Sequence, residues 1–572
     1  MNTEFLGIIA SLVLTLAIAI PLAKYIARMF AGEKVWTDFL KPLETLIFKL
    51  SGINPNEPMN WKQVLKAMMT VNILWVAYGF FVLIYQDKLP LNPDGNPGIT
   101  ADMAFNTVIS FVANTNLQHY SGESGVTYLT QHFVLMFLQF MSAATGIAAA
   151  VAVFKALRDK TTTDLGNFWN NLVKSVTRVL LPLSVVVALI LAFNGTPSSY
   201  AGKDQFISMQ GDTVNVSRGP AAAFVAIKHI GTNGGGWFGV NSAHPLENPN
   251  YLTNMVEITA QMIITMAMVL AFGFFIGRKK LGYVIFGVMM VGTLLLMIPS
   301  IISEIGGNPA IAKMGITQAT GAMEGKETRF GPMATAYWGT LTTVVSTGSV
   351  NGMHDSGMAL TGMWQLLAMM INSFFGGCGV GLLNYLIYLI IAVFISGLMV
   401  GRTPEFLGHK VESREVKIAA IITLLSPFLI LAGTAISSFV FTHFGAAEWA
   451  VKPANWLNNP GFHGFSEMLY ENTSANANNG SGFEGLGDNN IFWNVITGII
   501  IMLGRFLPII GPVAIVGLLA QKKYVPESAG TLRTDTVTFG LMTFAVILVL
   551  NALSYFPALA LGPIAEYFSI IK

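Results

Sequence analysis

The chain has 572 residues, 53% of them hydrophobic and only 11% charged, with a mean hydropathy of +0.59 and a formal net charge of +2. A soluble domain carries about 25% charged residues, so ionisable groups this sparse cannot clothe a water-facing shell, and nucleic-acid binding, secreted scaffolds and disordered tails are excluded. The lone Cys378 excludes a disulfide framework, a thiolate zinc site and an iron–sulfur cluster, while 57 glycines point to non-helical backbone within a membrane.

Ten apolar runs suited to crossing a roughly 30 Å hydrocarbon core lie at 4–27, 64–86, 127–154, 173–194, 253–277, 281–303, 357–400, 416–441, 491–520 and 537–562. The first follows Met1-Asn2-Thr3-Glu4 without a basic n-region, and Lys24 and Arg28 come only after it. That predicts a retained span with the N-terminus outside. Sorting charges by alternate loops places 22 bases against 11 acids inside, a net of +11, and nine bases against 19 acids outside, a net of −10, with Arg505 alone within a span. This is the positive-inside pattern, with both termini outside and the basic loops cytoplasmic. The run 357–400 is about twice the length one crossing needs. Two crossings would put every later basic loop outside, so it is read as one span interrupted at Gly376, Gly377, Cys378, Gly379, Val380 and Gly381.

Four outside connections each hold a moderately apolar stretch too short to span, followed by small or amide residues. They are 101–113 before Asn114-Thr115-Asn116, 219–230 before Gly231-Thr232-Asn233-Gly234, 334–345 before Ser346-Thr347-Gly348, and 464–475 leading to Asn478-Asn479-Gly480. Aligning positions 114, 232, 346 and 478 gives separations of 118, 114 and 132 residues, each enclosing two spans and one re-entrant loop. The expected architecture is therefore an all-α polytopic membrane protein with ten transmembrane helices: four tandem helix/pore-loop/helix repeats at 60–154, 172–277, 281–400 and 414–520, plus extra helices at 1–30 and 536–572. Four half-helices returning as extended backbone present a ring of carbonyl oxygens, which replaces the hydration shell of a weakly hydrated cation. The turns need residues tolerant of positive φ, and the column Asn116, Gly234, Gly348 and Gly480 supplies them.

At these and other positions the chain resembles the KdpA family, the potassium-binding, channel-like subunit of the bacterial Kdp potassium-transporting ATPase. The resemblance is carried by residues 231–236, His244-Pro245-Leu246-Glu247-Asn248-Pro249, the segment from Met323 to Gly331, and Gly401-Arg402-Thr403-Pro404-Glu405-Phe406-Leu407-Gly408. It is carried further by Met59-Asn60-Trp61-Lys62-Gln63, Leu89-Pro90-Leu91-Asn92-Pro93 and Gly464-Phe465-Ser466-Glu467. It implies a bacterial inner-membrane location and three protein partners: a P-type ATPase catalytic subunit, a single-span subunit with an extracytoplasmic domain, and a small one-helix subunit. Asn372 stands where the resemblance leads to an expected carboxylate in some relatives.

The chain is not expected to hydrolyse ATP. Asp159-Lys160-Thr161-Thr162 lacks the glycine of a P-type phosphorylation site, the 321–327 segment lacks the Ser/Thr of a phosphate-binding loop, and the inside loops are too short for a nucleotide domain. No cofactor is expected on this chain; K⁺ is its substrate, and ATP and Mg²⁺ belong to the partner. The eight histidines are not read as a haem or transition-metal site, and His119, beside Gln118 at the expected pore mouth, reads as a solvated loop residue. A charge at the depth of Arg505 must face the bundle interior or a cavity, so Arg505 and the break at 376–381 are the expected gate beneath the filter. With the resemblance, these features point to a subunit that selects K⁺ from outside and hands it to an ATPase. The alternative is a self-sufficient K⁺ channel or symporter of the same superfamily; an inverted-repeat carrier fits less well, because the repeats keep one orientation.

Overall fold

The computed structural model describes residues 3–401, 403–449, 451–526 and 532–572. Met1 and Asn2 of the N-terminal reading, and Arg402 and Glu527 of the charge count, lie outside the described residues.

The helices follow the apolar pattern. The extra span α1 (Thr3–Phe30) leads into α2 (Lys41–Ser51), a short helix with an exposed apolar flank that the sequence reading passed over. Repeat one is α3 (Trp61–Ile84), the half-helix α4 (Ala101–Val112) and α5 (Thr130–Arg158). Repeat two is α6 (Phe168–Phe193), α7 (Ala221–Ile230) and α8 (Tyr251–Phe275), with an unanticipated antiparallel hairpin of β1 (Asp204–Ile207) and β2 (Thr213–Val216) before its half-helix. Repeat three is α9 (Lys279–Ile305), α10 (Gly331–Val344) and the broken span α11 (Ala359–Ile371) with α12 (Val380–Val400). Repeat four is α13 (Ser413–His443), α14 (Phe462–Ala477) and α15 (Ile491–Ala520), and α16 (Val537–Leu559) closes the chain, running on to Ile571.

Asparagine and threonine set several of the starts. Asn60 accepts from the backbone of Lys62 and Gln63 while Gln63 bonds back in a capping box, Asn250 and Thr253 do the same at α8, and Asn490 and Thr536 cap α15 and α16. Burial separates inner helices from outer ones. The apolar window of α8 is 94% buried and that of α1 only 22%, so α8 is a central wall and α1 an outer layer packed along it.

The connections segregate onto two faces. On one, Arg178 reaches Asp38 and Glu44, Lys522 reaches Glu412 and Glu415, and Arg158, Lys160, Arg278, His409 and Tyr524 share one cavity. On the other, Glu4 accepts from the backbone N–H groups of Met333 and Ala334 at the start of α10, Lys326 pairs with Glu304, and His463 joins Asp355 to Glu566. The loops that follow the four half-helices open toward this second face, which also holds both described ends of the chain: Lys313 bonds the carbonyl of Ile571. The odd and even loops of the charge sorting thus occupy opposite faces of the molecule.

The broken span differs in detail from its expected form. The non-helical stretch is 372–379, starting four residues earlier, and α12 begins at Val380, so Gly381 lies in a helix. The break starts where Asn372 ends α11 at φ 42°, and Phe375, Gly377 and Gly379 are also left-handed. Gly381 matters by its lack of a side chain, since a methyl there would overlap the backbone of Gly376.

Candidate functional site

The four half-helices end identically. Asn114, Thr232, Ser346 and Asn478 adopt φ of 62°, 49°, 55° and 54°. The next N–H, from Thr115, Asn233, Thr347 and Asn479, turns back to the carbonyls of Ser110, Lys228, Thr342 and Ser474 at 2.8, 2.9, 2.9 and 3.0 Å. This is the left-handed helix terminus whose following N–H bonds five residues back. One residue on, Asn116, Gly234, Gly348 and Gly480 have φ of 57°, 72°, 78° and 96°, the column expected from sequence.

Successive loops touch in chain order and close into a ring. A methyl on Gly234 would overlap Thr347 O, one on Gly348 would overlap Asn479 O, and one on Gly480 would overlap Thr115 O. The remaining seam, between loops one and two, is where the column carries Asn116. There side chains make the closure: Asn116 Nδ2 donates to Gly234 O (3.1 Å) and Asn114 Nδ2 to Thr232 O (2.7 Å). A second left-handed glycine, Gly235 at φ 68°, leaves room for the Asn116 side chain.

The carbonyls of Thr115, Asn233, Thr347 and Asn479 belong to wholly buried residues, and among the described residues no protein group donates to them. Buried carbonyls are almost always paired. Four equivalent orphans, on segments whose own N–H groups face back to the half-helices, form an oxygen ring suited to a cation.

The amide side chains hold the scaffold. Asn233 donates to Gln139 O and accepts from Ser142 Oγ, which also bonds Asn114 Oδ1. Asn479 donates to Thr342 O, Asn478 bonds Thr115 Oγ1 and Ile501 O, and Ser346 Oγ donates to Ala477 O. The sequence left open which amide of the fourth loop faces the axis; the Asn479 amide is turned away onto the half-helix of repeat three. Trp338 Nε1 donates to Ser349 O, and the Tyr470 hydroxyl lies between His354 and Ser481, tying strands to half-helices. The sequence reading missed these struts, because a Trp or Tyr on an apolar helix looks like ordinary packing.

Above the ring a cavity of about 310 Å³ is lined by all four loops, including Asn116, Gln118, Gly235, Gly348 and Gly480. Gln118 bridges to loop two, accepting from Gly236 N at 2.7 Å. His119 is not solvated: its side chain is fully buried between Asn494, Glu471 and Asp488, which raise its pKa to about 9 against the opposing effect of burial.

Beneath the ring lies the break. Gly377 N donates to Val345 O at 2.7 Å, Cys378 N to Thr232 Oγ1 at 2.9 Å, and Asn372 Nδ2 to Ala477 O at 3.2 Å, so 372–379 touches the bases of loops two, three and four. Arg505 is buried beside it. Its Nη2 donates to Ser142 O at 3.1 Å, and a methyl on Gly377 would lie 3.9 Å from Nη1. Gly376, Gly377, Gly379 and Arg505 are thus assembled under the ring, with Gly381 behind them in α12.

A family model for the potassium-transporting ATPase A subunit, KdpA, matches residues 9–568. The chain belongs to the KdpA family. Among its relatives, the potassium-transporting ATPase potassium-binding subunit of Flavobacterium johnsoniae is 64% identical over the full length of both chains. The protein of the same name from Geobacillus kaustophilus is 44% identical over 97% of this chain and 98% of its own. Among solved structures, the potassium transporter TrkH from Vibrio parahaemolyticus shares the fold, with a TM-score of 0.50 at 14% identity, covering 89% of this chain and 97% of that one. The chain is a multi-pass membrane protein. Two of the segments that carry the family resemblance meet beside loop two: Glu247 receives Lys228 Nζ at 2.5 Å behind α7, and Arg329 donates to Asn248 O and Ala243 O.

Proposed function

We propose that this chain is the potassium-binding and translocating subunit of an ATP-driven potassium importer. It takes K⁺ from the filter face, which is the outside of a bacterial inner membrane, strips its water in the four-loop ring, and passes it to a P-type ATPase subunit that binds ATP and Mg²⁺. A single-span subunit and a small one-helix subunit complete the assembly. The observation that carries this reading is the ring of four equivalent, buried, undonated carbonyls. Oxygen dipoles of that kind substitute for the hydration shell of a large monovalent cation, and the names of the relatives supply the ATPase.

The break and Arg505 act as the gate. A pump cannot tolerate an open pore, and a polar, glycine-hinged segment bonded to three filter loops, with a guanidinium beside it, blocks free passage by bulk and by repulsion. Repulsion between a fixed charge and a cation is strong where water is scarce.

The test is Gly234→Asp in the purified complex. It puts a carboxylate and a Cβ against Thr347 O, and K⁺-stimulated ATP hydrolysis should lose selectivity for K⁺ over Na⁺ and require more K⁺ for half-stimulation. An unaltered profile would refute the filter. A self-sufficient channel would instead give K⁺ flux in vesicles holding this chain alone, with no ATPase partner co-purifying.

A further inference from the structure

The vestibule wall carries a side-chain cluster that potassium selection does not use. His119 Nδ1 lies 2.7 Å from Asn494 Oδ1, and the amide is oriented by its own Nδ2, which donates to Asp102 Oδ2 at 2.7 Å. An amide oxygen accepts, so Nδ1 carries hydrogen and Nε2 is the nitrogen turned to the carboxylates. Nε2 stands 3.2 Å from Glu471 Oε1 and 3.8 Å from Asp488 Oδ2, and the three ligand atoms all lie within 4.8 Å of one another. The other oxygen of Glu471, a residue 1% exposed, has no hydrogen-bond partner among the described residues. It is directed at Gly482, a lining residue of the 310 Å³ cavity, where a methyl would sit 3.4 Å away.

We propose that His119 Nε2, Glu471 and Asp488 form a binding site for a divalent metal ion of the zinc class at the entrance to the filter. Ligands about 2.1 Å from a tetrahedral zinc stand roughly 3.4 Å apart, and the 3.2 and 3.8 Å separations from Nε2 bracket that edge, with the two carboxylate oxygens within 4.8 Å of each other. One imidazole and two carboxylates match the charge of a divalent ion and leave a fourth position for vestibule water. The imidazole selects against Mg²⁺ and Ca²⁺, which take oxygen sets. The Asn494 oxygen bound to Nδ1–H is the outer partner that fixes ring orientation in histidine metal sites. Asp488, with a side chain 27% exposed, supplies the route from water. The consequence for transport rests on the potassium reading: an ion held here cancels the negative charge of the two carboxylates above the ring and slows K⁺ entry.

The test is Zn²⁺ binding to the purified, metal-stripped complex by equilibrium dialysis, with zinc-edge X-ray absorption. We expect one saturable ion per copy of this chain in a nitrogen and oxygen shell containing an imidazole, unaffected by Mg²⁺. Binding should weaken by more than about tenfold in His119→Gln and in Asp488→Asn. Because His119 is buried, Asp488→Asn is the safer variant, and Zn²⁺ should raise the melting temperature of the parent but not of this variant. Binding unchanged in both variants, a shell without imidazole, or no bound ion would overturn the site. A protein that binds Zn²⁺ here yet shows no K⁺-stimulated hydrolysis when zinc-free would keep the metal site and count against the potassium reading.

Discussion

Lys228, on the half-helix of repeat two, is a charge placed wholly out of water, and its cost is met by three acceptors: Glu247 Oε2, Asn241 Oδ1 and Ser242 Oγ. Glu247 in turn accepts from Phe238 N, so the pair ties the ascending strand of loop two to its half-helix. Removing one partner of a buried pair leaves the other uncompensated and costs about 3–5 kcal/mol. Lys228→Met should therefore lower the melting temperature in detergent sharply, and adding Glu247→Gln should recover part of the loss. At this scale the sequence was informative where backbone conformation dictates the residue. The column at 116, 234, 348 and 480 could be read because left-handed φ selects glycine and then asparagine. The outward turn of Asn233 and Asn479 could not, since it depends on Gln139, Ser142 and Thr342, which only the packed repeats bring near.

Two elements join the filter to the rest of the molecule. The break at 372–379 is wedged against α5, where Gly146 faces Cys378 O and Gly379 faces Gly146 O so closely that neither admits a methyl. Gly146→Leu should push the break out of register, disturbing K⁺ stimulation of ATP hydrolysis. It should also raise the labelling rate of Cys378, the only cysteine and fully buried, which gives a direct readout. An unchanged labelling rate would show that the segment does not depend on this packing. At the other end, His463 on the first turn of α14 lies 2.9 Å from Asp355 Oδ1 and 2.8 Å from Glu566 Oε1, which raise its pKa to about 10 although burial opposes it. A folded-state pKa raised above the unfolded value of about 6.5 gives stability that is fully present below about 6.5 and lost as pH rises through about 10. Melting temperature should fall over that window in the parent, and His463→Gln should flatten the fall.

The whole molecule separates its charge, with the acid-rich connections on the filter face. Such a field concentrates cations at a mouth and is screened over about 10 Å at 0.1 M salt. Raising ionic strength with a bulky inert cation should therefore increase the K⁺ concentration needed for half-stimulation of ATP hydrolysis. A constant value would assign the whole of the affinity to the ring. The same segregation explains why the layout was legible from sequence: ten crossings force odd and even loops apart, whatever the packing. The hairpin at 204–216 and the helix at 41–51 lie between spans and are too short to cross a membrane, so the span pattern carries no sign of them.

The amino-acid sequence by itself determined the number of spans, the fourfold period, the two-faced charge and the residues able to turn the filter, because each follows from solvent matching or local φ preference. Only the tertiary structure decided the rest. It closed the ring in chain order, with an asparagine seam where glycine was missing. It moved the break to 372–379 beneath three loops and buried His119 among carboxylates. These are contacts between residues more than 100 positions apart in the chain, and local pattern carries no record of which distant group will meet which.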